Sequence, residues 1–236
     1  MNDKVSDALS KMFDFSTTAN LLNYDFVQQA LIAAAILGLL AGALGPLIVS
    51  RQWAFAVHGS SELSLTGASA ALLVGITVGL GAIVGSVVAA VMFALLGSKA
   101  RDRDSVIGVI MSFGLGLSVL FIWLYPGRTG TSFSLLIGQI VGVGQSGIQL
   151  LLVCAVVVLI VLAVVYRPLL FASTDPEVAL ARGIPVRGLS VVFAVLVGVA
   201  CALGVQIVGA LLVLSLLVTP AAAAARVTAS PLKATV

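Results

Sequence analysis

The sequence predicts an all-α protein: a polytopic transmembrane helical bundle of about seven spans plus one short re-entrant or interfacial segment. Three observations carry this. Of 236 residues, 61% are hydrophobic and 9% are charged, whereas a water-soluble domain carries about 25% charged residues. Mean hydropathy is +1.23, a value that no water-facing surface accommodates. The apolar residues also fall into blocks near the ~20-residue length that crosses a bilayer. The 24 glycines fit helices packed closely in lipid.

Taken in order, residues 1–26 form an extracytoplasmic segment. Val5, Ala8, Leu9, Met12 and Phe13 share one helical face, which predicts a short amphipathic helix on the membrane surface. Asp3, Asp7, Asp14 and Asp25 precede the first apolar run, an acidic start that does not suit a cleavable signal peptide. Residues 27–236 form the transmembrane domain. Its first span runs from Val27 to Val49 and stops at Arg51. The second and third, Leu63–Val78 and Leu80–Leu96, share an apolar stretch split around Gly75, Gly79 and Gly81. A charged break at residues 98–104 precedes the fourth, Ser105–Tyr125, which Pro126 and Gly127 end. Phe133–Val143 is apolar but too short to cross, so it reads as re-entrant or interfacial. The fifth span is Ile148–Tyr166, and a polar loop, 167–187, follows. Leu189–Leu203 and Gln206–Ala225 come last. Gly38-x-x-x-Gly42 and Gly75-x-x-x-Gly79 permit close helix approach.

Basic residues orient these spans. Alternating them puts Arg51, Lys99, Arg101, Arg103, Arg167, Arg182, Arg187, Arg226 and Lys233 on one side, and Lys4, Lys11 and Arg128 on the other. Nine against three marks the first side as cytoplasmic and the N-terminus as outside.

Several chemistries are excluded. No phosphate-cradling Gly-x-x-x-x-Gly-Lys-Ser/Thr occurs, and Gly97-Ser98-Lys99 lacks the upstream glycine. With one histidine and no Cys-x-x-Cys, enzymatic chemistry by this chain has little support. Cys154 and Cys201 sit in apolar stretches and read as packing residues. No basic run suits nucleic acid.

Ionisable groups at membrane depth cost about 2.5–3.5 kcal/mol at a span centre and so point to function. His58 and Glu62 are the two candidates, four residues apart and on one helical face. An imidazole nitrogen beside a carboxylate suits Zn²⁺, or Mn²⁺ with further oxygens. Alternatively His58 lies in the headgroup layer and Glu62 pairs with it or with Arg51. Weaker helpers are Ser60, Ser61, Ser64, Thr66, Gln139 and Gln206, each of which also serves as a packing hydrogen-bonder.

Within the loop, Asp175 is an N-cap, Pro176 takes the first helical position and Glu177 the first turn. Gly183 closes the helix, with Pro185 just beyond. The result is a two-turn helix on the cytoplasmic face, suited to passing force from a docked partner.

These residues together resemble the metal-type permease family of ATP-binding-cassette (ABC) importers for zinc, manganese or iron. The likeness spans Ala30 to Thr228 through five ordered stretches: Ala30–Gly67, Asp104–Val109, Leu136–Ile140, Asp175–Ile184 and Val208–Ala222. It implies a transport subunit rather than an enzyme, with ATP bound only by a separate ATP-binding cassette subunit. It also implies a permease dimer, an extracytoplasmic metal-binding protein that delivers zinc or manganese, and a bacterial plasma (inner) membrane location. No cofactor is held permanently, and the metal ion is cargo. His58 and Glu62 would touch the ion; Asp175, Pro176, Glu177, Ala179 and Gly183 would form the coupling surface for the ATPase. The family's second span usually opens with Asp and then His four residues on. Here His58 stands at the first of these positions and Glu62 at the second. Family members usually continue past the Pro220 region, so this chain is expected to lack the last spans.

Other readings predict different behaviour. A metal-chelate or siderophore permease would take up chelate rather than free ion. A secondary carrier would need no ATPase, and a structural membrane protein would transport nothing.

Overall fold

The structure, a computed structural model, describes residues 22–96, 100–126, 138 and 144–228. The amphipathic segment expected near the N-terminus lies outside these residues, as does the re-entrant piece at 133–143 except for Gly138. Every described element is an α-helix. They are α1 (Asp25–Ser50), α2 (Ala54–Val74), α3 (Val78–Leu95), α4 (Ala100–Leu124), α5 (Gln145–Thr174), α6 (Pro176–Ala181), α7 (Val186–Val208) and α8 (Ala210–Val227).

Among the described residues five stretches are long and apolar enough to cross a membrane: α1, α3, Arg103–Leu124 of α4, Gly147–Thr174 of α5, and α7. In α8 the apolar part, Leu212–Val227, is shorter. At 21 residues α2 is long enough, but His58, Glu62 and its run of serines make it too polar. Its neighbours explain how it survives: α3, α4, α7 and α8 all pack on it. A helix walled by protein can carry polar side chains that lipid would reject. The exposed surface of the long helices is correspondingly apolar. Val153, Val157, Ile160 and Val164 of α5 and Val109, Phe113 and Trp123 of α4 are exposed. The core is Leu37, Leu44 and Ile48 of α1, Phe93 of α3, Ile107 of α4, Leu169 of α5, and Phe193 and Val197 of α7.

The α2–α3 crossing is glycine on glycine. A Cβ at Gly85 would lie 2.6 Å from the Leu63 carbonyl oxygen and 2.9 Å from the Gly67 Cα. Gly81, one turn earlier, faces Gly67 and Ala71 in the same way. The close approach expected of Gly38 and Gly75 therefore falls elsewhere. Gly38 meets nothing within 4 Å, and Gly75 is the left-handed residue (φ 81°) that ends α2.

Several boundaries differ from the sequence reading, among them the start of α4 at Ala100 inside the expected charged break, and three differ most. Helix α2 begins at Ala54 rather than Leu63, because its polar first half is sheltered by neighbours that no local pattern reveals. Helix α5 runs past Tyr166, through Pro168, to Thr174. Burial of Leu169 and Ala172 holds the added turns in place, so the polar loop at 167–187 is mostly helix. Finally, the last two helices break at Gly209, not near Gly204. Gly209 has φ 85° and ψ 159°, a conformation open essentially to glycine alone. Gly204 stays helical, with its face 2.7 Å from Val213 Cγ2 at the would-be Cβ.

Helix length constrains α5. At about 1.5 Å per residue the 30 residues of α5 span about 45 Å, against a hydrocarbon core of about 30 Å. Helix α5 is therefore long enough for an end to extend beyond the apolar layer.

Candidate functional site

Two sites were expected, and the structure gives each a distinct setting. On α2, Glu62 is 8% exposed and His58 is half-buried. The imidazole is the ionisable group near enough to act electrostatically on the Glu62 carboxylate, and its Nδ1 is buried without a hydrogen-bond partner. Phe55 sits beside it, ring centroids 6.4 Å apart. Further along the helix, Thr66 Oγ1 lies 2.9 Å from the Gly114 carbonyl and 2.9 Å from Ser118 Oγ. Glu62, Thr66 and Ser69 fall at i, i+4 and i+7, so one polar stripe runs up α2 from His58.

The alternative pairing of Glu62 with Arg51 is not what forms. The Arg51 guanidinium turns to α5, donating from Nε to Ser173 Oγ at 2.6 Å and from an Nη to the Leu169 carbonyl at 3.3 Å. It stacks 5.0 Å above the Phe193 ring. Burial pulls its pKa down to about 10, still well above neutral pH.

The helper residues divide. Ser61 Oγ donates to the Val57 carbonyl at 2.9 Å, and Gln206 Nε2 donates to Ala202 at 3.2 Å while its carbonyl oxygen fills the space before Gly79. Both are occupied by packing. Ser60 and Ser64 are fully buried and their hydroxyls have no partner. Gln139 lies outside the described residues. No group of three or more His, Cys, Asp or Glu could hold a metal among the described residues. His58 and Glu62 are thus a two-donor set that needs hydroxyls, water or another chain to complete a coordination shell.

At the other site, α6 has the ends its sequence calls for. Asp175 Oδ1 accepts from the Val178 N–H at 3.0 Å, with Pro176 at the first position and Glu177 in the first turn. The helix closes by Gly183 N–H to Leu180 O (2.9 Å) and Ile184 N–H to Ala179 O (3.0 Å). This pair of bonds is the Schellman closure, and it uses the left-handed Gly183 (φ 78°) one residue past the cap. Ala179 is buried and anchors α6 to the body, so it supports the surface from beneath. Val178 and Leu180, which the sequence reading passed over, are the apolar residues left outward, 41% and 58% exposed. Their signal was available: two apolar residues in a short capped helix between two apolar spans.

Known proteins resemble this chain over most of its length. A manganese transport system membrane protein, MntC, of Halalkalibacterium halodurans is 30% identical over 86% of this chain and 70% of its own length. A manganese import system permease protein, ScaB, of Streptococcus parasanguinis is 32% identical over 86% of this chain and 73% of its own. Among solved structures, PsaBC from Streptococcus pneumoniae in complex with Fab superposes with a TM-score of 0.81 at 27% identity, covering 92% of this chain and 79% of that one. Residues 23–235 match the ABC 3 transport family, and the chain belongs to it as a membrane-embedded transport subunit.

Proposed function

We propose that the chain is the membrane-spanning subunit of an ATP-driven importer of divalent metal ions, with manganese favoured over zinc. The observation that carries this is the His58–Glu62 pair, half-buried and buried respectively, on a polar helix that apolar helices wall off. A buried carboxylate one turn from an imidazole offers an ion a mixed oxygen and nitrogen contact inside an otherwise apolar body. Two donors suit passage, because a cargo ion must leave again. The names of the relatives favour manganese, as does oxygen-rich completion of the shell by serine hydroxyls and water.

In this reading an ATP-binding cassette subunit docks on α6, and an extracytoplasmic metal-binding protein delivers the ion from the opposite side. Two such permeases face each other across the ion path. The full bundle has about seven spans, counting α2 and α8 with the five apolar ones, with the N-terminus outside. The basic residues at the α6 end support that orientation.

Uptake tests it. Vesicles carrying the chain and its ATPase should accumulate manganese on addition of ATP. Glu62→Ala should abolish accumulation while the mutant still inserts and still binds the ATPase. Transport by that variant at the normal rate would remove Glu62 from the path. Uptake of a metal chelate, but not of free ion, would argue for a different cargo.

A further inference from the structure

At the same end as α6 lies a cavity of about 710 Å³ that the transport reading leaves without a role. It is enclosed by the α1–α2 link, the end of α3, the start of α4, the end of α5, Pro176 of α6 and the start of α7. Among the described residues three guanidiniums line it, Arg51, Arg103 and Arg187, and none that lines it is acidic. Two of the three are held in place. Arg51 is fixed by Ser173 and Leu169. Arg103, 8% exposed, donates to the Gln52 carbonyl at 2.8 Å and lies 6.0 Å from the centre of the Trp53 ring. Its Nε approaches Asp104 Oδ1 only to 3.7 Å and is buried without a hydrogen bond. Nearby Asp175 is engaged in capping α6. Arg187 is exposed at the mouth.

Such a cavity carries net positive charge on rigid supports, since Asp104 pairs with Arg103 alone and leaves Arg51 and Arg187 in excess. Guanidiniums read phosphate through paired donors. The volume suits an organic ligand rather than a bare ion, and Trp53 and Phe93 give it an apolar wall. Its lining comes from helix ends, where the hydrocarbon layer gives way to headgroups, and basic pockets between helices at that depth hold anionic lipid headgroups. We propose that this cavity binds the phosphate of an anionic phospholipid headgroup. Bound there, one phosphate would bridge Arg51, Arg103 and Arg187, and so brace the link that enters α2 against the ends of α5 and α7.

The test uses the full chain in nanodiscs of phosphatidylcholine, alone or with phosphatidylglycerol, followed by native mass spectrometry of the retained lipid. Retention of phosphatidylglycerol over phosphatidylcholine is expected. Arg187→Gln, at an exposed position, should lower that retention about fivefold without changing the circular dichroism spectrum. Arg103→Lys keeps the charge, loses the paired donors and should lower it as well. Equal retention of the two lipids, or unchanged retention in Arg187→Gln, overturns the proposal. If inorganic phosphate protects the phosphatidylcholine-only sample from thermal unfolding as well as phosphatidylglycerol does, the occupant is a free phosphate and the lipid assignment falls. Variants that keep lipid retention but lose the ATPase subunit would assign the arginines to the protein partner instead.

Discussion

Replacing Gly85 with alanine tests the contact that seats the polar helix. The added Cβ would stand 2.6 Å from the Leu63 carbonyl oxygen and 2.9 Å from the Gly67 Cα. Comfortable separations are about 3.5–4.0 Å, so the two backbones must part by about 1 Å. Neither obstacle is a flexible side-chain tip; both are backbone atoms of α2. Overpacking of this kind costs typically about 1–3 kcal/mol. In a chain of this size that lowers the unfolding midpoint by roughly 2–12 °C. The shift falls on Leu63, the residue next to Glu62, so metal uptake should drop as well as stability. Gly38→Ala is the control, since a Cβ there meets nothing within 4 Å. Alanine within a helix gains about 0.5–1 kcal/mol over glycine, so that variant should be as stable as the parent or slightly more so. Thermal unfolding in detergent and manganese uptake in vesicles read both effects. Equal midpoints for Gly85→Ala and Gly38→Ala would refute the view that this crossing is held at its limit.

The remaining predictions concern α6. Asp175→Ala removes the carboxylate that accepts the Val178 N–H and should destabilise the helix by about 1 kcal/mol. Co-purification of the ATPase subunit should weaken accordingly, and Asp175→Ser should restore most of it. Leu180→Asp places a charge on an exposed apolar position. It should leave the stability within about 0.5 kcal/mol of the parent and yet abolish ATPase binding, and unimpaired binding would show that the partner sits elsewhere.

Local chemistry was legible in the sequence and enclosure was not. The ends of α6 were readable because Asp175, Pro176 and Gly183 act on backbone groups within a few residues of themselves. The apolar helices were readable because lipid demands an unbroken run of side chains. By contrast, the start of α2 was set too late, since His58 and Glu62 are tolerated only through the helices that pack around them. The passage of α5 through Pro168 depends on Leu169 and Ala172 finding buried places and on Arg51 reaching Ser173. Gly204 and Gly209 look alike in sequence. One gives room for Val213 and the other turns the chain, a difference that resides in the neighbouring helix and the backbone angles. His58 and Glu62 themselves were visible as rare ionisable residues, while the orphaned Ser60 and Ser64 hydroxyls beneath them depend on the packing.

The two expected sites lie far apart in sequence, and two arginines join their surroundings. Arg51 ends α1 and leads through Gln52 and Trp53 into α2, while its guanidinium grips Ser173 and Leu169 at the end of α5. Only Asp175 separates that end from α6. Arg103 ties α4 to the same link through the Gln52 carbonyl. Gln52 holds a left-handed backbone (φ 54°) although it is not glycine, a conformation that costs on the order of 1–3 kcal/mol and needs its surroundings to maintain it. His58 begins about one and a half turns beyond Trp53. A partner that displaced α6 would therefore pull on the strained joint at the foot of the helix that carries His58 and Glu62. On the proposed function this joint is where movement of the docked ATPase and the geometry of the His58–Glu62 pair become one mechanical problem, which explains why buried guanidiniums stand at a membrane boundary where exposed ones would suffice for orientation.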